Sequence, residues 1–212
     1  MVTLRRFWLA LLFLSLVPGW AAAEGPAISD RSLEASLLHR RINLSGLEQW
    51  NRVHKSWHTL PGRHSKLLVL NIWSHSCQPC KQEFPMFRRM VASWQAHKEV
   101  QFLFIADPPD ETSQTDVEQF WAKPLIELRP GQTCDGSSFA TGSRQMCVLK
   151  LPETDPVRSM DTRLLKSVGE VTVRPLTLLV DSGGLIRQVF AGSVDERRSE
   201  LSEAITRLLA AL

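Results

Sequence analysis

The stretch that most restricts how this chain can fold runs from Lys66 to Phe87, KLLVLNIWSHSCQPCKQEFPMF. Leu67, Leu68, Val69, Leu70 and Ile72 form a nearly continuous apolar run, the pattern of a central strand covered on both faces of a mixed sheet. Phe84, Phe87, Met90, Val91 and Trp94 then recur at three- and four-residue steps, which predicts a helix with one apolar face. Between strand and helix stands Cys77-Gln78-Pro79-Cys80. Cys77 is thereby expected at the helix N-terminus, where first-turn amides lack intrahelical acceptors and the macrodipole is positive. Both effects favour thiolate over thiol; a drop from roughly 8.5 to about 7, common in such motifs, corresponds to about 2 kcal/mol. Cys80, one turn later, is within disulfide reach and lies deeper against the helix body. Cys77 is therefore expected to attack and Cys80 to resolve.

Other uses of a Cys-X2-Cys pair fit less well. A zinc knuckle needs a second close pair, whereas Cys134 and Cys147 stand apart with twelve residues between them. A c-type haem site needs His directly after the second cysteine, and that residue is Lys81. An inert disulfide is the bland alternative, but a strand-to-helix junction is the redox setting for this motif. No metal or cofactor is expected.

The chain opens with Arg5 and Arg6, an apolar run from Phe7 to Val17, a Pro-Gly break and Ala21-Ala22-Ala23, the pattern of a secretory leader cleaved after residue 23. An uncleaved N-terminal anchor is the alternative. The whole chain carries 25 basic and 22 acidic residues; loss of the two leader arginines leaves 23 against 22, a formal charge of +1. No nucleic acid or other polyanion is implied as a partner. In an exported protein four cysteines read as two disulfide pairs, and the remaining length suits one domain.

Along the rest of the chain, Asp30–Arg41 reads as a short amphipathic helix, with Leu33, Leu37 and Leu38 on one side. Ser45-Gly46-Leu47-Glu48 is a capping box that predicts a second helix, burying Leu47, Trp50 and Trp57 before a turn at Pro61-Gly62. Pro85 falls inside the helix after the cysteines and should kink it. Val100–Ala106 reads as a strand ending at the Asp107–Asp110 turn, and Thr112–Trp121 as a helix. From Pro124 to Cys147 there is turn chemistry without periodicity, then a short strand over Met146–Leu151. A Cys134–Cys147 disulfide would staple that segment, worth about 3 kcal/mol by loop entropy, or would serve as a second redox pair. A helix is expected over Asp161–Val168. Val171–Val180 reads as a strand with Pro175 at its start and in the cis form, followed by a turn at Asp181–Gly184 and a strand over Leu185–Ala191. A second capping box, Ser193–Glu196, predicts a last helix with Leu201, Ile205, Leu208 and Leu212 on one face.

Together these residues resemble the thioredoxin-like superfamily, and within it the exported TlpA/ResA-like thiol-disulfide oxidoreductases. The resemblance rests on Asn71–Cys80, on Glu83 and Pro85 after the second cysteine, and on Arg174-Pro175 before an apolar strand and the Asp181–Gly184 turn. It implies an α/β three-layer sandwich, a central mixed sheet flanked by helices. Residues 24–60 would be a helical N-terminal extension and 61–212 the thioredoxin-like domain, with an insert at about 124–147. It also implies substrate contact at Arg174, Pro175 and Trp73. The chain departs from the family pattern at Ser76, where an aromatic is usual, at Asn71, where thioredoxins proper keep a buried Asp, and at Arg174, where a small or β-branched residue is common. Since Asn71 cannot titrate, the proton of Cys80 must go to water, His75 or Glu83. His75 is expected either to favour the Cys77 thiolate as an imidazolium or simply to face solvent.

The resemblance points to a periplasmic enzyme exchanging disulfides with exported, cysteine-bearing client proteins and supplied by an upstream membrane electron donor. Gln78-Pro79 lacks the His that helps strong oxidants hold their thiolate, which favours a reductant, for example in cytochrome c maturation. The competing readings are an oxidant or isomerase, and a binding module whose Cys77–Cys80 disulfide stays closed.

Overall fold

A computed structural model describes residues 30–44, 47–51, 54, 56–59, 65–106, 118–128, 130–131, 133–134, 136–151, 157–159 and 173–212. The leader, Ser45, the turns at Pro61-Gly62 and Asp107–Asp110, and the helix expected over Asp161–Val168 lie outside the described residues.

The apolar run of the central stretch becomes strand β3 (Leu67–Trp73), buried at every position. It pairs in parallel with β4 (Val100–Ala106) and antiparallel with β9 (Leu176–Asp181). Among the described residues the sheet has seven strands in the order β10-β9-β3-β4-β8-β1-β2, with β1 at Leu47–Asn51, β2 at Ser56–Thr59, β8 at Val157–Ser159 and β10 at Ile186–Ala191. Strand period two sends alternate residues of β3 to opposite faces. Leu67, Val69 and Trp73 meet Phe84, Phe87 and Met90 of helix α2 (Gln78–Trp94), together with Leu201 and Ile205 of helix α3 (Arg198–Ala211). Leu68, Leu70 and Ile72 meet the other layer, where helix α1 (Asp30–Leu37) supplies Leu37. The chain is thus helix, sheet, helix in section, as three-layer burial of a two-faced apolar strand requires. No helix among the described residues is long and apolar enough to cross a membrane.

Several expectations are corrected. The Ser45–Glu48 box does not start a helix: Leu47–Asn51 is a strand whose residues pair with both β2 and β8, and ladder hydrogen bonds on two sides outweigh a local capping signal. Among the described residues the N-terminal extension is therefore helical only over Asp30–Leu37, where His39 with φ 66° follows α1 and Leu38 is exposed. The insert is not irregular. It forms a separate three-stranded antiparallel sheet, β5-β7-β6, from Leu125–Glu127, Arg144–Val148 and Ser137–Thr141, so Cys147 lies near the end of its strand rather than at its start. The last helix begins at Arg198, not at Ser193, and Leu212 is exposed. The helix expected after the cysteines does form, from Gln78 to Trp94, with Pro85 inside it.

The insert sheet is tied down by Cys134–Cys147, whose Cα atoms are 5.6 Å apart. Cys147 is fully buried and shares the α2-side core with Ile126 and Leu149. Replacing both cysteines by alanine is expected to lower the unfolding free energy by about 3 kcal/mol, by the loop-entropy account. In a chain of this size that is a fall on the order of 10 °C in melting temperature, readable by calorimetry.

Candidate active site

At the carboxyl end of β3 the chain turns through Ser74, His75 and Ser76 into α2. Cys77 is the N-cap residue, extended at φ −79° and ψ 100°, and its Sγ accepts from the backbone N–H of Cys80 at 3.2 Å. Pro79 occupies the first helical positions, where a missing N–H costs nothing. Cys77 and Cys80 are joined in a disulfide with Cα atoms 5.3 Å apart. Cys77 is half-buried, and Cys80 is fully buried against the core. That asymmetry is what attack by one sulfur and resolution by the other require, because a client disulfide can meet only the outer sulfur. The Cys80 amide that now faces the Cys77 sulfur would also meet a thiolate there, and hydrogen bonds to an ionised acceptor are the stronger ones.

Register places the second half of the site. Ile72 pairs with Leu176, so Pro175, one residue before, lies at the same end of the sheet as the turn that carries Cys77. The Arg174–Pro175 bond is cis. Pro175 is buried and its carbonyl accepts from Gly192 N–H at 3.0 Å, while Arg174 is exposed. Trp73 does not belong with these two as a substrate contact. It has no exposed surface and packs edge-on to Phe84 and tilted against Phe120 and Trp121, so its place is the core. His75 is half-buried and lines a shallow cavity of about 530 Å³ with Gln119, Phe120, Ala122, Lys123 and Leu125. Its ring lies 6.3 Å from that of Phe120, and Lys81 Nζ stands 5.3 Å from the same Phe120 ring. Partial burial there lowers the Lys81 ammonium pKa.

Beneath the cysteines lies a buried polar network. Glu83, three residues after Cys80 on the buried face of α2, has no exposed surface. Its Oε1 accepts from Asn71 Nδ2 at 2.7 Å; its Oε2 accepts from Val194 N–H at 3.2 Å and from Ser193 Oγ at 3.4 Å. Asn71 Nδ2 also donates to Thr177 Oγ1 at 3.1 Å. Burial outweighs these donors and pushes the Glu83 carboxyl up to about 8. Asn71 Oδ1 has no partner among the described residues. The strand period that turns Leu67 and Val69 toward α2 turns Asn71 there too, which is why an amide can reach a helix carboxyl. Thr177 and Ser193 had not been expected in the site. The signal for Thr177 is a lone hydroxyl inside the apolar run Leu176–Val180. Ser193 is masked by its apparent capping role.

The arrangement of these elements can be compared with solved structures. A candidate thiol:disulfide interchange protein DsbE from Chlorobium tepidum superposes with a TM-score of 0.53 at 16% identity, covering 80% of this chain and 97% of that one. The fold is thioredoxin-like. A second thioredoxin-like protein, solved in its oxidized form, gives a TM-score of 0.51 at 14% identity over 81% of this chain and 97% of that one. StoA from Bacillus subtilis gives 0.49 at 16% identity, over 76% and 98%. No protein-family model matches the sequence, and no curated protein does. In this chain the β5-β7-β6 sheet follows the helical residues 118–122.

Proposed function

We propose that this protein is an exported protein-disulfide oxidoreductase that works in the periplasm as a reductant of client disulfides through Cys77 and Cys80. The observation that carries this reading is the Cys77–Cys80 disulfide itself: half-exposed at one sulfur, buried at the other, set on a helix N-terminus at the sheet end that also holds cis-Pro175. The cycle starts from the dithiol. The Cys77 thiolate attacks one sulfur of a client disulfide, forming a mixed disulfide and expelling the client's other sulfur as thiolate. Cys80, deprotonated, then attacks Cys77 Sγ, closing the disulfide seen here and releasing the client with both sulfurs reduced. Two electrons pass to the client, and an upstream membrane donor returns them. The client chain runs beside Arg174 and Pro175, in the manner of a strand added to an edge.

Glu83 is the group best suited to take the Cys80 proton. It lies one turn along the same buried face; only its ionised form can take a proton, and burial pushes its pKa up to about 8, so this route opens as pH rises toward that value. A Cys80→Ser variant tests the mechanism, since it stops the cycle at the mixed disulfide. Covalent adducts of this variant with exported cysteine-bearing proteins, lost on adding dithiothreitol, are expected. A variant that co-purifies with a partner but forms no adduct would instead mark a binding module. Direction is read by equilibration with glutathione. A potential well below the strong-oxidant value of about −120 mV supports reduction, and one near that value reverses the assignment.

A further inference from the structure

The first turn of α2 is held from outside the helix. Gln78, the residue just after Cys77, donates from Nε2 to the backbone carbonyl of Glu127 at 3.3 Å. Glu127 ends strand β5 of the insert sheet, and its neighbour Ile126 pairs with Cys147 of β7. Cys147 is disulfide-bonded to Cys134, whose Sγ accepts from Gly136 N–H at 3.4 Å. A continuous path of backbone ladder, disulfide and one side-chain hydrogen bond therefore joins the second cysteine pair to the turn that contains the first. Both ends of the path are anchored: Cys80, Ile126, Cys147 and Leu149 are buried in one core cluster, with Cys77 and Cys134 packed against it.

We infer that Gln78 is a positioning residue for the redox pair, that the insert sheet is its anchor, and that Cys134–Cys147 serves to hold that anchor in place. This rests on the oxidoreductase reading above. Glu127 offers its main-chain oxygen, so the contact depends on where β5 lies and not on the identity of the side chain at 127. The Glu127 carboxylate is engaged elsewhere, 3.8 Å from Arg144 Nη1 in an exposed pair that contributes little to fixing β5. The disulfide, by contrast, reaches the centre of the insert sheet, because Cys147 pairs with Ile126 on one side and Ser138 on the other. Gly136 shows how closely the Cys134 loop is drawn onto β7. A Cβ added there would lie 1.8 Å from the Val148 carbonyl oxygen, a separation no real atom pair allows. The tie is seen with Cys77–Cys80 closed, and the inferred role requires it to be weaker in the dithiol. Releasing it shifts the pair toward the dithiol.

The test is the equilibrium of Cys77–Cys80 with glutathione, followed by mass shift after acid quench and alkylation. The full-length protein is compared with Gln78→Met, which keeps the side-chain length but cannot donate, with Cys134→Ala/Cys147→Ala, and with the two combined. A single net hydrogen bond of ordinary strength corresponds to about a five-fold change in the equilibrium constant toward the reduced form, which is about 20 mV for this two-electron couple. Gln78→Met and the double-alanine variant are each expected to show that change. Their combination should show no more than either alone, because both cut the same path. An unchanged constant in Gln78→Met, or additive shifts in the combined variant, overturns the inference. If the double-alanine variant fails to fold, Gly136→Ala takes its place, since it displaces the Cys134 loop and leaves every cysteine intact. Failure of the parent reading looks different: the unmodified protein then does not equilibrate with glutathione at all, and the positioning role falls with it.

Discussion

Alanine in place of Cys77 is expected to bring disulfide exchange down to the uncatalysed background, the largest effect open to any single substitution in this chain. Cys80 cannot take over. It is fully buried against the α2-side core, and a client disulfide has no path to its sulfur. The reciprocal Cys80→Ala variant keeps the outer sulfur and should still complete one attack per molecule, ending as a trapped adduct. Insulin reduction measured in both variants separates the roles: no turnover in either, with adduct formation in Cys80→Ala alone. An active Cys77→Ala, or adducts formed by it, would reverse the assignment of attacker and resolver. Cys77→Ala also removes the acceptor for the Cys80 amide, so it should cost about 1 kcal/mol of stability, as lost helix caps do. Cys77→Ser restores an acceptor at that point. It should recover that stability and none of the exchange, which separates the chemistry from the cap.

The second large effect is on pH dependence and belongs to Glu83. In the folded protein its carboxyl holds a proton up to about 8, whereas in the unfolded chain it ionises at its ordinary value of 4.5. Between those two values the native state carries one more proton than the unfolded state. Stability therefore falls as pH rises through that window, by about 1.4 kcal/mol per pH unit, and levels off once the native carboxyl ionises as well. Glu83→Gln cannot titrate. The difference in unfolding free energy between variant and parent, measured by urea denaturation from pH 5 to 8, should grow steadily in favour of the variant, because contributions from other groups cancel in the comparison. The substitution suits the site. A Gln oxygen can accept from Val194 N–H, and its NH2 can donate to Asn71 Oδ1 once the Asn71 amide, whose Nδ2 now faces residue 83, has turned over. A difference that stays flat across this range would show that Glu83 is already ionised in the native state, and the raised carboxyl pKa would go with it. At a pH near or above 8, where the parent's carboxyl ionises, the same variant should slow resolution by Cys80 while leaving formation of the mixed disulfide intact.

The centre of this fold was legible because its elements are long and nearly all apolar. Leu67–Trp73 and Val100–Ala106 read as buried strands, and the three-and-four spacing from Phe84 to Trp94 read as a helix. The cysteine pair, the Pro175 turn and the Asp181–Gly184 turn followed from local chemistry that tertiary contacts leave unaltered. What was missed lies where distant partners decide. Leu47–Asn51 carries a helix-start signal, but β8, more than a hundred residues away in sequence, pairs with it and makes it a strand. Ser137–Thr141 is exposed along its whole length, so it has no apolar alternation to betray a strand. Ser193 looks like a cap in isolation, yet its hydroxyl donates to Glu83 across 110 residues. Trp73 was expected to touch substrate on the strength of the family resemblance. Period two along β3 turns it, with Leu67 and Val69, into the α2 side of the core.

The account depends on an outer sulfur activated by its place at the head of α2. Its most direct test is the rate of Cys77 alkylation by iodoacetamide in the reduced protein, followed from pH 4 to 10. A single titration centred near about 7, or lower, is expected, well below the ordinary thiol value of roughly 8.5. A midpoint at the ordinary value, with a rate matching that of free cysteine, would contradict it.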